Sequence, residues 1–216
     1  PTQKSLCVMF YNKKIFEENK VQVPSTYDEF LSVCDTLKSN GVTPMAMCGT
    51  DAWIPAQFVQ QIAGGMAGDK LFQDICDGSE KWNNETHVKA AEEVKKMADA
   101  GYFQDGYIGM GPEESTDLFT NGKSAMYFMG AWDADKIQKS GIGEDAGAFV
   151  LPAYDAQYNN ISVGSVDTSF AVSETCENKD AAVAFLKFWT SQEMEEMLLY
   201  ENGRIPADNF ELDTSS

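Results

Sequence analysis

Trp132 is the residue in this sequence best suited to contact a ligand. It follows Ala125–Met129, an apolar and partly aromatic run short enough to be a buried strand, and Gly130 breaks that run. Upstream, Pro112 suits a first helical turn and Gly122 a left-handed helix stop, while Asp133 favours a new helix N-terminus. Trp132 therefore stands where a core strand ends and the chain turns, the edge of an open α/β sheet at which ligands bind. Its broad face and single N–H donor suit a sugar ring, and the same position would also suit an ordinary core tryptophan. Other chemistries lack their parts. His87 is the single histidine and sits in a polar helix start, which leaves no basis for a histidine-based triad or a multi-histidine metal site. The five cysteines are odd in number and form no Cys-x-x-Cys pair. Cys7 in a strand-like run and Cys34 at a core-like helical position read as small buried hydrophobes, not as a disulfide framework or zinc site. Gly64–Gly68 follows a helix where a phosphate loop follows a strand, and Gly122-Lys-Ser124 has Asp117 where a Walker A loop opens with glycine. No catalytic residue, metal or cofactor is expected.

The elements that must position Trp132 can be read in order. Leu6–Tyr11 is strand-like, and a short helix begins at Asn12–Phe16. Thr26-Tyr-Asp-Glu29 has the form of a capping box, with Phe30, Cys34 and Leu37 at helical spacing and Asn40-Gly41 as the stop. Thr43–Met47 reads as a strand, and the polar turn Gly49–Trp53 leads into a helix through Phe58 and Ile62. Asn83-Asn84 caps a long helix with an expected buried stripe of Val88, Ala91, Val94, Met97 and Ala98, stopped by Gly101. Gly109–Glu114 is a polar loop able to contribute to a cleft rim. Strands are expected at Ala148–Leu151 and Ser169–Ser173, and helices after Asn178 and Ser191. The net charge of −18 argues against nucleic acid and anionic membrane surfaces, and no apolar run is long enough to span a bilayer. The chain opens mid-pattern at Pro1 and reads as a piece of a longer protein, so the missing signal peptide says nothing about compartment.

Several of these segments together resemble the extracellular solute-binding proteins of ABC sugar importers. They are Phe10-Tyr-Asn-Lys13, Val23-Pro24, Thr26-Tyr-Asp-Glu-Phe30, Leu37-Lys38, Gly41-Val-Thr-Pro44, Met97–Phe103, Gly122–Met126 with Gly130-Ala-Trp132, Phe185–Ser191 and Gly203–Ala207. The resemblance implies an α/β fold of the periplasmic-binding-protein type II. Residues 1–151 would form a helix-rich second lobe, and residues 152–216 a partial first-lobe segment without the main body of that lobe or the C-terminal helices. It implies capture of a mono- or oligosaccharide by closure of two lobes and delivery to a membrane permease, with no turnover. The protein would be extracellular, as a cell-surface lipoprotein or in the periplasm.

The resemblance also places the site. Asp51 and Trp53 match a cleft-facing Asp-Gly-Trp motif, and Trp53 joins Trp132 as a stacking residue. Asp51 and Asp167 are the expected hydroxyl acceptors, Asp167 being equally readable as a turn residue, and Tyr11, near the hinge, is a further ligand-binding candidate. Few lysines or arginines lie near these turns, which disfavours an anionic solute. The alternatives are another small solute or a peptide on the same fold, or a two-carboxylate glycoside hydrolase. Acidic pairs such as Glu92-Glu93 and Glu195-Glu196 read as solvated helix faces. The apolar load of Phe185, Phe188 and Trp189 is expected to need cover, by the rest of the chain or by a second copy.

Overall fold

The computed structural model describes residues 3–166, 169–202 and 205–207. Asp167 and the Gly203-Arg204 pair lie outside them. The chain divides into a larger unit, Cys7–Met129 with Lys136–Val163, and a smaller one, Pro1–Leu6 with Gly130–Asp135 and Gly164–Ser216. The larger unit thus runs on past Leu151 to Val163.

Strand β1 (Lys4–Asn12) is followed by helix α1 (Lys13–Glu18), whose first turn is capped by the Asn12 side chain. Helix α2 (Tyr27–Ser39), strand β2 (Thr43–Ala46), and helices α3 (Trp53–Ala67), α4 (Lys70–Cys76), α5 (Glu85–Asp99) and α6 (Pro112–Thr120) come next. Strand β3 (Ser124–Gly130), helix α7 (Ala134–Gln138), strands β4 (Ala146–Phe149) and β5 (Gly164–Val166), and helices α8 (Lys179–Trp189) and α9 (Gln192–Asn202) complete the order. The sheet runs β2-β3-β1-β4, with β5 also paired to β1. β2 and β3 are parallel, Met45 opposite Met126 and Ala46 opposite Tyr127. β1 is antiparallel to β4 through Met9–Asn12 and to β5 through Lys4–Leu6.

Every residue of β3 is buried, as a strand covered on both faces must be. Successive side chains point to opposite faces. Tyr127 stacks on Phe119 of α6 at 5.8 Å between ring centres, and the next residue, Phe128, meets Phe58 of α3 at 5.0 Å. Helices α6 and α3 therefore cover opposite faces of the strand. The buried Tyr127 hydroxyl is satisfied by Thr116 Oγ1 at 2.9 Å, which avoids the cost of an unpaired buried polar group. Fully burying a side chain such as Phe58 or Phe119 contributes about 1.5–3 kcal/mol.

The helix-end signals are borne out, with one shift. Thr26 Oγ1 accepts the Glu29 N–H, but the Glu29 carboxylate accepts from the N–H and hydroxyl of Ser25, one residue before the cap. These bonds hold the Glu29 carboxyl below its ordinary value. Gly41, Gly101 and Gly122 have left-handed φ, as helix stops require.

Three expectations are corrected. Helix α5 buries Met97 as expected, but otherwise His87, Ala90 and Glu93 in place of Val88, Ala91 and Val94, and Val88 is half exposed. Its N-terminus is fixed by Asn84, which accepts the His87 N–H at 2.9 Å, and the His87 ring fills a space between Phe72 and Trp82. Strand β4 begins two residues early because Gly147 lacks a side chain and admits the Tyr11 ring across the pair. Val150–Ala153 then leaves the sheet, and Ala153 packs on Gly65. Residues 169–173 carry no strand among the described residues; the strand is β5, which finds a ladder partner in Lys4–Leu6. Cys7, Cys34 and Cys48 are buried, Cys176 is half buried and Cys76 is exposed. Burial pushes the Cys7 thiol up to about 11 and raises that of Cys34.

Burial holds the His87 imidazole below its ordinary value. The unfolded chain then takes up this proton first as pH falls. The stabilisation is complete above about pH 6.5 and is lost progressively below it. His87→Phe keeps a ring in the cluster and should remove this component. Thermal melts of both proteins from about pH 8 to pH 5 should show wild type losing melting temperature faster than the variant on the acid side. Parallel curves would mean that His87 is not buried neutral.

Candidate ligand site

The site is built on the carboxyl edge of β2 and β3. Because the two strands are parallel and Ala46 lies opposite Tyr127, their carboxyl ends meet at one edge of the larger unit. The chain leaving β2 is tied down at once. The buried Gln104 side chain accepts the Met47 N–H at 2.9 Å and donates to the Met47 carbonyl at 2.6 Å, extending the strand by one residue-like rung. The N–H groups of Gly49 and Thr50 donate to the Met110 carbonyl at 3.0 and 3.3 Å, and the Thr50 hydroxyl donates to the same oxygen at 3.3 Å. A Cβ at Gly49 would overlap the backbone of Tyr107 and Ile108, so this close approach needs glycine. Asp51 and Trp53 follow from this braced loop. Asp51 is exposed, and Trp53, the first residue of α3, is 43% exposed.

The other sequence-derived residues fall elsewhere. Trp132 belongs to the smaller unit, in a 3-10 turn, Ala131–Asp133, at the end of β3. It is 38% exposed, which sets it apart from the fully buried core. Its ring folds back over Gly130 and occupies the space a Cβ there would need. Tyr11 is half buried, with its ring against Phe16 at 4.8 Å and Phe149 at 5.7 Å. That placement gives it a packing role at the β1–β4 pair. Asp167 lies outside the described residues. Asp51 and Trp53 are thus brought together on one loop, and Tyr11 is committed to its own cluster. A separate open groove of about 560 Å³ in the larger unit is lined by Met66, Glu85, Thr86, Lys89, Tyr154, Asp155 and Ala156. None of the sequence-derived site residues lines it. Among the described residues, no three His, Cys, Asp or Glu side chains are grouped to hold a metal ion. No helix among them is long and apolar enough to cross a membrane.

Sequence reasoning passed over Gln104 and Ile108. Gln104 lies only two residues beyond Tyr102, and no local pattern marks an amide whose partners are a strand 57 residues away. Ile108 reads as a lone apolar residue beside a polar loop.

A parallel strand pair with a braced, aromatic-bearing loop at its carboxyl edge is the arrangement at which open α/β sheets bind ligands. The chain belongs to the bacterial extracellular solute-binding proteins, a family that matches residues 1–196. It is similar to the multiple sugar-binding protein of Streptococcus mutans, 24% identical over 196 residues, covering 88% of this chain and 46% of that protein. It is also similar to a probable sugar-binding periplasmic protein of Brucella suis, 26% identical over 176 residues, covering 79% of this chain and 39% of that protein. Among solved structures, a chitin oligosaccharide binding protein superposes with a TM-score of 0.89 at 27% identity, covering 98% of this chain and 54% of that one. The periplasmic-binding-protein type of fold expected from the sequence is thereby shown. The chain spans about half the length of the curated relatives it matches.

Gly130 has ordinary extended φ and ψ, so only the Trp132 ring opposes a side chain there. Gly130→Ala should turn the Trp132 ring out of its resting place, read as a shift in tryptophan fluorescence. A spectrum identical to wild type would place the ring elsewhere.

Proposed function

We propose that the full-length protein captures a mono- or oligosaccharide outside the cytoplasmic membrane and delivers it to an ABC-type permease, by closure of two lobes about a hinge. The observation that carries this reading is Trp53, close to half exposed on a loop braced at the carboxyl edge of a parallel strand pair, two residues from an exposed carboxylate. Membership of the solute-binding family and the sugar-binding names of its relatives support it. Trp53 and Trp132 stack on sugar rings, Asp51 and Asp167 accept sugar hydroxyls, and Tyr11 supports the hinge side of the sheet. The larger unit forms the second lobe, which carries its boundary to Val163, and the smaller unit belongs to the first. No turnover accompanies binding. The protein works in the periplasm or, held as a lipoprotein, at the cell surface.

Helix α8 has no buried residue, with Phe185 52% and Phe188 54% exposed. We assign this face to cover by the remaining body of the first lobe. Residues 1–216 alone should therefore self-associate in light scattering and bind sugar far more weakly than the full-length protein. A monomer with full sugar affinity would sink that assignment.

Trp132→Ala in the full-length protein should cost on the order of 1–3 kcal/mol of sugar affinity, as aromatic stacking contacts do. Its melting temperature should stay close to wild type. Calorimetric titration with oligosaccharides and a melting curve on the same sample decide the matter. Unchanged affinity with a collapsed melting temperature would make Trp132 a packing residue, and release of reducing ends would make the protein an enzyme.

A further inference from the structure

The turn that approaches Gly49 holds an apolar side chain out to solvent on a fixed backbone. Ile108, the middle residue of the 3-10 turn Tyr107–Gly109, is 71% exposed. Its backbone abuts Gly49, and Met110 accepts from the N–H groups of Gly49 and Thr50. The buried Gln104 amide ties the start of the same segment to Met47. The turn and the loop bearing Asp51 and Trp53 are therefore one braced piece of the larger unit, and Ile108 belongs to it as firmly as Trp53 does.

The charge of this piece is one-sided. No lysine, arginine or histidine occurs from Ser39 to Asp69 or from Met97 to Gly122. Asp51, Asp105, Glu113 and Glu114 are all exposed within those segments. Of these, Glu114 is engaged by the Gly111 N–H at 2.8 Å, an uncharged donor that leaves its charge in place. Asp117, farther along α6, faces Lys136 at 3.9 Å, and Asp99 at the end of α5 pairs with Lys95.

We propose that the Tyr107–Gly109 turn is a second wall of the solute site, with Ile108 as a specificity-determining apolar contact beside Trp53, and that this wall accepts uncharged sugars and rejects acidic ones. This rests on the sugar-binding reading of the same site. An alkyl side chain covers the C–H face of a sugar ring without competing for its hydroxyls. A carboxylated sugar brought against the same wall meets the exposed carboxylates of Asp51 and Asp105 on this piece, which disfavours it.

The test uses the full-length protein, titrated calorimetrically with chitin oligosaccharides, raffinose and a uronic-acid oligosaccharide of matched length. Ile108→Ser should weaken the uncharged ligand about tenfold, the size expected for losing part of an isoleucine's burial, with an unchanged melting temperature. Ile108→Leu should restore binding, and the uronic-acid ligand should not bind wild type measurably. Wild-type affinity in Ile108→Ser, while Trp53→Ala loses it, would overturn the role of Ile108 and leave the sugar-binding reading standing. Equal affinity for the acidic ligand would overturn the charge selection. Failure of wild type to bind any sugar, while binding a peptide or another solute, would overturn both readings together.

Discussion

The complete burial of β3 is the constraint on which the larger unit depends. A strand with no wet face must be covered twice, so α6 meets it through Phe119 and α3 through Phe58, on alternate residues. Both of its faces are closed to a solute. At the strand ends backbone direction changes and side chains can meet water. The loop after β2 uses that edge, and its rigidity comes from Gln104, a buried amide that stands in for a missing neighbouring strand by bonding both polar atoms of Met47.

How far the chain could be read depended on whether the signal was local. Strand β3 was legible because seven residues in a row are buried without alternation, and Gly122 and Gly130 frame them. The caps of α2, α5 and α8 were legible because a side chain three residues before an N–H is enough to define them. The phase of α5 was not. His87 and Glu93 are polar by type, yet one fills an aromatic cluster and the other is paired with Lys96 at 2.6 Å, so the buried stripe contained the residues a hydrophobicity pattern discards. The limits of β4 and β5 were set by a partner, β1, many residues away. In the site, Asp51 and Trp53 were visible as a polar turn at a helix start. The approach of the Ile108 backbone to Gly49 was not, because it exists only once two segments are folded together.

The two units differ in what they bury. The larger carries most of the aromatic core, including Phe30, Phe58, Phe119 and Tyr127. The smaller holds Met194 and Leu198 of α9 buried while α8 keeps a wide apolar face. A strand, β1, serves both, pairing with β5 near its start and β4 near its end.

The cysteines divide usefully by burial. Cys7, Cys34 and Cys48 lie in the core, and the thiolate is the reactive form, so the raised thiols of Cys7 and Cys34 are doubly protected. Cys76 is exposed on the larger unit and Cys176 is half exposed on the smaller. Native thiols thus offer one attachment point on each unit for a spin label or fluorophore, without any engineered cysteine. Labels on such a pair, followed as sugar is added, would test from the protein's own side chains whether the units move.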